Sequence, residues 1–149
     1  MTAMKLYLDV CVLSRPFDDQ TIMRNHLEAN AASIILDAVR NGRYGMAVSP
    51  VHDAELAALD DLVERTHLQT VLLLWGTRGA LDAHVAHERA EELCRHGLGV
   101  ADAAHIACAE QAADIFLSCD DRLLRQCART GVTVEYMNPV EFCIKENLR

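Results

Sequence analysis

The sequence predicts an α/β protein whose mainly parallel sheet is covered by helices on both faces. Two observations lead to this prediction. Short apolar runs alternate along the chain with helical patterns, most of them nine or more residues long. The runs at residues 5–13 and 114–119 are nearly continuous, as expected of buried strands. We therefore expect a three-layer α/β/α sandwich with four or five strands, forming one domain over residues 1–149.

Composition is that of an ordinary globular protein, with 51% hydrophobic and 24% charged residues in a chain of 149. No basic segment followed by a long apolar stretch marks a signal peptide, and the apolar runs are too short to span a membrane. Six cysteines are scattered without a C-x-x-C pair, which favours buried thiols over disulfides or a zinc site. We expect a reduced, cytoplasmic protein.

The net charge is −8, which argues against a protein that coats nucleic acid irrespective of sequence. An enzyme that meets a phosphodiester through metal ions held by acids remains compatible with this charge. The charge also favours selective nucleic-acid binding, or a partner that supplies positive charge.

The first predicted element is the run at residues 5–13, which Ser14-Arg15-Pro16 bounds and one aspartate, Asp9, interrupts. We predict a buried strand that ends in a turn, with Asp9 near its end. Ligands of parallel sheets lie outside the carboxyl ends of the strands, so Asp9 is a candidate site residue. The alternative is that Asp9 caps the next helix.

The following elements are predicted from apolar spacing and from their end signals. Asn41-Gly42 closes a helix, Pro50 ends a strand, and Asp60-Asp61 precede another helix. In order, we predict a helix at 22–40, a strand at 44–49, helices at 51–59 and 62–75, and a short edge strand at 80–82.

The second half continues the alternation. Gly97 ends one helix, an alanine-rich helix follows, and Gly131 ends another. In order, we predict helices at 85–94 and 101–113, a strand at 114–119, a helix at 121–129, a strand at 132–136 and a terminal helix at 139–148.

Four acids occupy equivalent places, at strand ends or at the starts of the helices that follow: Asp9, Glu55, Asp102 and Asp120. All such places lie on one edge of a parallel sheet, so these carboxylates are expected to converge. Singly, Asp102 and Asp120 also fit N-caps, and Glu55 fits a solvated helix face. Asp121 is the better predicted N-cap of the helix at 121–129, which would free Asp120.

Converging carboxylates repel one another unless a cation lies between them. Oxygen ligands suit Mg²⁺ or Mn²⁺, and such ions activate water and stabilise charge at a phosphate. The predicted chemistry is phosphodiester hydrolysis with water as nucleophile; no separate general base is evident. A phosphoaspartate protein with Asp9 as nucleophile is disfavoured, because Asp-x-Asp is missing and no lysine lies between Lys5 and Lys145.

The chain resembles the PIN-domain ribonucleases over nearly its whole length. The resemblance rests on Tyr7-Leu8-Asp9-Val10-Cys11-Val12-Leu13, on Ser49-Pro50 followed by Glu55, on Ala101-Asp102-Ala103-Ala104-His105-Ile106-Ala107, and on Leu117-Ser118-Cys119-Asp120-Asp121-Arg122-Leu123-Leu124.

This resemblance implies a Rossmann-like α/β/α fold and a Mg²⁺- or Mn²⁺-dependent endonuclease for single-stranded RNA. It implies Asp9, Glu55, Asp102 and Asp120 as catalytic residues, with Asp9, Asp102 and Asp120 as metal ligands. Many small PIN domains are toxins of VapBC toxin–antitoxin pairs, often dimeric and silenced by a small antitoxin. A homodimer and an antitoxin partner are therefore expected.

The first motif departs from the family pattern. PIN domains usually carry Asp-Thr-Asn or Asp-Thr-Ser there, whereas this chain has Asp9-Val10-Cys11. The missing hydroxyl and amide would orient the metal's surroundings. Ser118 keeps the hydroxyl near the fourth acid. The departure supports an alternative function, a weakened PIN-like module that acts by binding RNA or a protein partner.

Further candidates surround these motifs. His105 lies on the helix face of Asp102, where it either reaches the rim of the site or packs as an ordinary helix histidine. Together with Ser118 and Asp121, His105 is a candidate supporting residue. Three arginines near the proposed edge are candidates for holding RNA phosphates, with a local ion pair as the alternative for Arg122: Arg15, Arg122 and Arg125.

Overall fold

A four-stranded parallel sheet forms the centre of the computed structural model, which describes residues 3–149. The strands lie in the spatial order β2-β1-β3-β4, so that β1 is central. In register, Leu6 of β1 lies opposite Met46 on one side and Ile115 on the other. The strands are β1 (Lys5–Leu8), β2 (Gly45–Met46), β3 (Ile115–Leu117) and β4 (Glu135–Met137).

Helices connect the strands and cover the sheet, and a single 3-10 turn at Arg15–Phe17 follows the first of them. The helices are α1 (Val10–Ser14), α2 (Met23–Arg40), α3 (Pro50–Ala57), α4 (Leu62–Trp75), α5 (Ala83–Arg95), α6 (Val100–Ala112), α7 (Asp121–Arg129) and α8 (Pro139–Lys145).

Each face of the sheet carries its own hydrophobic core, because successive side chains of a strand point to opposite faces. Leu6 and Leu8 belong to the first core, which also takes in side chains of α1, α2, α4 and α8. Tyr7 and Phe116 belong to the second core, which α5, α6 and α7 cover. The predicted three-layer α/β/α sandwich is confirmed.

The prediction of a single strand over residues 5–13 is wrong. The last ladder hydrogen bond runs from the N–H of Asp9 to the carbonyl of Leu117 (2.9 Å), and Val12 N–H then bonds back to Asp9 O. The chain therefore turns into α1 directly after Asp9. Val10, Val12 and Leu13 are buried in the first core, so this helix is as apolar as the strand before it. A continuous apolar run hides such a boundary.

The predicted edge strand at 80–82 is also wrong. Thr77 instead pairs with Ala47 in an isolated parallel bridge beside β2, and Asp82 caps α5 through its side chain. Gly76 allows this approach, since a Cβ there would lie 2.3 Å from Val48 Cγ2. The last strand lies three residues later than predicted at its start, at Glu135–Met137.

The six cysteines are all free, and four of them are buried. Within residues 3–149, no helix combines the length and the apolar character needed to cross a bilayer.

Candidate active site

Asp9 lies at the carboxyl edge of the sheet, where β1 and β3 end side by side. Its carboxylate is buried, with 6% of the residue exposed. The Ser118 hydroxyl donates a hydrogen bond to Asp9 Oδ2 (2.8 Å) and accepts one from the N–H of Asp120 (3.1 Å). The Cys11 thiol donates to the same Oδ2 (3.3 Å). The Ser118 hydroxyl and the Cys11 thiol thus orient the Asp9 carboxylate, and the N–H of Asp120 orients the Ser118 hydroxyl.

The negative charge of Asp9 is poorly compensated. In the described chain, no lysine or arginine nitrogen lies within 4 Å of its carboxylate; the nearest basic group is His105, whose Nε2 lies 4.0 Å from Oδ1. Burial raises the pKa of Asp9, and the attraction of His105 and the hydrogen bonds offset this only in part. The site therefore holds a carboxylate that would gain from a cation.

Glu55 and His105 meet next to Asp9. Glu55 projects from the second turn of α3, and His105 from α6 is fully buried. His105 Nε2 lies 2.9 Å from Glu55 Oε1, a contact that lowers the pKa of Glu55. The other ring nitrogen, Nδ1, lies 2.6 Å from the Tyr7 hydroxyl, which lies 2.7 Å from Ser49 Oγ. Glu55, His105, Tyr7 and Ser49 form one hydrogen-bonded row.

His52 is a buried member of this region that the sequence reasoning missed. The N–H of Ser49 donates to His52 Nδ1 (3.1 Å), so the proton of the ring lies on Nε2 and is donated to Leu8 O (2.7 Å). Burial lowers the pKa of His52 to about 4, which keeps the ring neutral. The available signal was its place in Ser49-Pro50-Val51-His52, three residues after an N-cap, where a side chain reaches back to the cap.

Asp9, Glu55 and His105 bring one ligand atom each to within 4.8 Å of one another. Among residues 3–149, they are the one set of three or more histidine, cysteine or acidic side chains that meets this distance. Two carboxylates and an imidazole suit a divalent cation. The predicted ligands Asp102 and Asp120 lie outside this group.

Asp102 nevertheless experiences the negative charges of Asp9 and Asp120. It is half-buried in the first turn of α6. Burial, together with the charges of Asp9 and Asp120, raises the pKa of Asp102 to about 6. The geometry thus brings Asp9, Glu55 and His105 into contact and leaves Asp102 at the rim of that group.

The prediction that Asp121 caps its helix is wrong. Asp120 is the N-cap of α7, and its Oδ1 accepts hydrogen bonds from the N–H groups of Arg122 (3.0 Å) and Leu123 (3.1 Å). Asp120 has the extended backbone of a cap, whereas Asp121 is already helical. Asp121 instead forms an ion pair with Arg24, with Nη2–Oδ1 at 2.9 Å. Its predicted role as a supporting residue of the site stays a prediction.

The three predicted phosphate-binding arginines have different surroundings. Arg15 is paired within the chain, with Nε 3.1 Å from Glu28 Oε1 and Nη1 2.9 Å from Asp18 Oδ2, and its contact with RNA phosphate stays a prediction. Arg122 and Arg125 are exposed on α7. In the described chain, neither has a carboxylate within 4 Å, so the local ion pair considered for Arg122 is absent.

Comparison with known proteins identifies the fold of the chain. No family model matches the chain, and no curated protein sequence matches it. The chain is similar to one in the crystal structure of FitAcB from Neisseria gonorrhoeae, with a TM-score of 0.53 and 19% identity over 90% of this chain and 97% of that one. It is also similar to one in the structure of FitAB bound to an IR36 DNA fragment, with a TM-score of 0.54 and 18% identity over 91% and 95% of the two chains. The fold is PIN-like.

Within this PIN-like fold, the unusual residues after Asp9 have separate environments. Val10 is buried in the first core. Cys11 faces the site, where its sulfur accepts the N–H of Cys119 (3.3 Å) and its thiol meets Asp9. A weak thiol donor thus lies where the PIN-domain motif that this sequence resembles has an amide or a hydroxyl.

Proposed function

We propose that the protein is a Mg²⁺- or Mn²⁺-dependent endoribonuclease that cleaves single-stranded RNA, and that it is the toxin of a toxin–antitoxin pair. The observation that carries the proposal is the group formed by Asp9, Glu55 and His105 at the carboxyl edge of the sheet. Among residues 3–149, the buried Asp9 carboxylate has no basic partner at ion-pair distance other than His105, and Asp102 adds further negative charge nearby.

The chain supplies the binding and orienting groups of this reaction. Asp9 and Glu55 offer oxygen ligands, and Ser118 holds the Asp9 carboxylate in place. We propose Asp102 and Asp120 as further acids facing the substrate side. When bound, the divalent ion supplies an activated water and neutralises charge that develops on the scissile phosphate. Arg122 and Arg125 are proposed phosphate contacts, since both are exposed on the helix that Asp120 caps.

The proposed partner is a small antitoxin, and the proposed assembly is a homodimer. The resemblance of the sequence motifs to VapBC toxins supports this role. The fold likeness to a chain of FitAB, described as bound to a DNA fragment, is consistent with it. A net charge of −8 favours a partner that contributes positive charge.

The test is cleavage of a single-stranded RNA pool by the purified protein with Mn²⁺, with Mg²⁺ and with chelator. We expect cleavage in either ion, none with chelator, and a loss of at least roughly a thousandfold in Asp9→Asn, because ion-based stabilisation contributes several kcal/mol. The matched control is Asp60→Asn, an exposed acid in the turn between α3 and α4, which should cleave at the wild-type rate. Cleavage that survives Asp9→Asn would exclude the proposal.

Two observations favour a second candidate, a weakened module that binds RNA or a protein without cutting. Cys11 gives Asp9 only the weak hydrogen bond of a thiol (3.3 Å), and Glu55 Oε1 already forms a hydrogen bond with His105 Nε2. In the same assay, this candidate predicts RNA retention on the protein with no cleavage in any ion.

A further inference from the structure

We propose that His105 is a direct nitrogen ligand in the metal site, so that the site prefers a first-row transition-metal ion such as Mn²⁺ over Mg²⁺. This rests on the metal site of the proposed function, but it does not depend on RNA being the substrate. It differs from the three-carboxylate set Asp9, Asp102 and Asp120 that the resemblance to PIN domains implies.

Donor–donor distances support the nitrogen ligand. His105 Nε2 lies 2.9 Å from Glu55 Oε1 and 4.0 Å from Asp9 Oδ1. In an octahedral site with bonds of about 2.1 Å, adjacent donors lie about 3 Å apart and opposite donors about 4.2 Å apart. The His105–Glu55 distance is thus that of two adjacent ligands and the His105–Asp9 distance is close to that of two opposite ones, while the ligand atoms of all three residues lie within 4.8 Å of one another.

The hydrogen-bonded row behind His105 can accept the ring proton in the tautomer that ligation requires. A ligating Nε2 must present its lone pair, so the single ring proton of neutral His105 must lie on Nδ1. There it donates to the Tyr7 hydroxyl at 2.6 Å, and Tyr7 in turn donates to Ser49 Oγ at 2.7 Å. The ring keeps one proton in both arrangements. Metal-bound histidines characteristically donate their other N–H to such a partner.

Packing holds the imidazole in the orientation that ligation requires. His105 is 0% exposed. Its ring meets Tyr7 edge-on, with centroids 5.5 Å apart, and lies 5.1 Å from the ring of His52. His52 is itself fixed by two backbone hydrogen bonds. A ligand held in this way loses little side-chain freedom when the ion binds.

The donor set then determines the choice of ion. Mg²⁺ prefers oxygen ligands and retains its waters, whereas imidazole suits transition-metal ions, whose affinities for mixed sites exceed those of Mg²⁺. Two carboxylates with one imidazole therefore favour Mn²⁺ and the later ions of that row.

The test is pulsed electron paramagnetic resonance on the full chain, stripped of metal and loaded with one equivalent of Mn²⁺. We expect a ¹⁴N coupling from a directly bonded imidazole nitrogen, and tighter binding of Mn²⁺ than of Mg²⁺ in competition. In His105→Asn, which keeps a polar atom near Tyr7, the coupling should vanish and Mn²⁺ affinity should fall at least about 10-fold, since losing a direct ligand costs no less than losing a residue that only orients one.

The matched control is His87→Asn. His87 forms an exposed pair with Glu91 on α5 and represents adventitious binding by surface histidines. It should leave both the coupling and the affinity unchanged. The wild-type spectrum decides the matter even if His105→Asn does not fold: bound Mn²⁺ without nitrogen coupling, or coupling that His87→Asn removes, would overturn the proposal.

The experiment also separates this inference from the proposed function. Nitrogen-coupled Mn²⁺ in a protein that cuts no RNA would leave His105 as a ligand and remove the nuclease. Cleavage by a protein whose bound Mn²⁺ has no nitrogen coupling would support the nuclease and exclude His105 as a ligand.

Discussion

Glu28 and Asp9 are both buried carboxylates, yet their surroundings are opposite. Glu28, 1% exposed on α2, accepts Arg15 Nε (3.1 Å), Arg24 Nε (3.3 Å) and the Asn138 side-chain amide. Asp9, 6% exposed, has a hydroxyl, a thiol and an imidazole at 4.0 Å. One charge is neutralised within the chain, and the other is left to be neutralised from outside.

This difference separates a carboxylate that holds the fold from one that is available for chemistry. Glu28 ties α2 to the 3-10 turn and to the residue that caps α8. Removing one member of such a buried ion pair leaves the others uncompensated. Asp9, in contrast, contributes little to the stability of the fold. Burial raises its pKa, so its negative charge disfavours folding.

The largest expected effect is on stability without metal. Glu28→Ala should lower the free energy of unfolding by roughly 3 kcal/mol, because the partly buried Arg15 and the Asn138 amide lose their shared acceptor, while the more exposed Arg24 keeps its pair with Asp121. Asp9→Asn should leave it unchanged or raise it, since a buried charge is removed. Urea denaturation measures both. Asp37→Ala, which breaks an exposed pair with Arg40, should cost less than about 0.5 kcal/mol. Equal destabilisation by Glu28→Ala and Asp9→Asn would contradict the comparison.

The next effect is a pH dependence of stability that arises from His52, in the same region as Asp9. The pKa of His52 is about 4 in the fold and about 6.5 when unfolded, so the unfolded chain binds the proton first. Above pH 6.5 His52 is neutral in both states, and the free energy of unfolding falls by about 3 kcal/mol as the pH approaches 4, because only the unfolded chain gains the proton. His52→Gln should lack this loss. The raised pKa of Asp102 has the opposite effect on stability, in the wild type and in His52→Gln alike. The effect of His52 is therefore the difference between the pH dependences of unfolding of these two proteins.

The control for that measurement is His67→Gln, an exposed residue of α4. Its pH dependence should parallel that of the wild type. If His52→Gln also parallels the wild type between pH 7 and pH 4, the neutral, buried state of His52 is refuted.

A third effect uses metal to distinguish the two carboxylates. Mn²⁺ at a hundred times its dissociation constant should stabilise the folded protein by about 2.7 kcal/mol, because it binds the native site. Thermal unfolding should show this shift in the wild type and in Glu28→Gln, and no shift in Asp9→Asn. A metal response that follows Glu28 instead of Asp9 would reverse the assignment.

The smallest effect concerns Cys11. Cys11→Ser replaces a 3.3 Å thiol contact with a hydroxyl donor to Asp9. We expect RNA cleavage to rise roughly two- to tenfold, the equivalent of one modest hydrogen bond. Cys143→Ser, a buried thiol in the first core, serves as the control and should change stability without changing the cleavage rate. A lower rate in Cys11→Ser would show that the thiol itself is required.

Local sequence signals predicted much of the fold. Asp61 caps the helix that follows it, and α7 lies at Asp121–Arg129 as its apolar spacing and its terminal Gly131 indicate. The boundary at Asp9 was missed because β1 and α1 are both buried and apolar, and periodicity does not separate two such short elements. Adjacent acids gave a similar ambiguity, which the extended backbone of Asp120 resolved in favour of Asp120 as the cap.

The sequence by itself determined the order of most strands and helices and the presence of acids at their junctions, because those features depend on neighbouring residues and on apolar spacing. Only the tertiary structure decided which acids are paired. Asn138 is 110 residues from Glu28, and Tyr7 is 98 residues from His105. Such contacts arise when remote elements pack, so that two buried carboxylates of one chain can have opposite electrostatic surroundings.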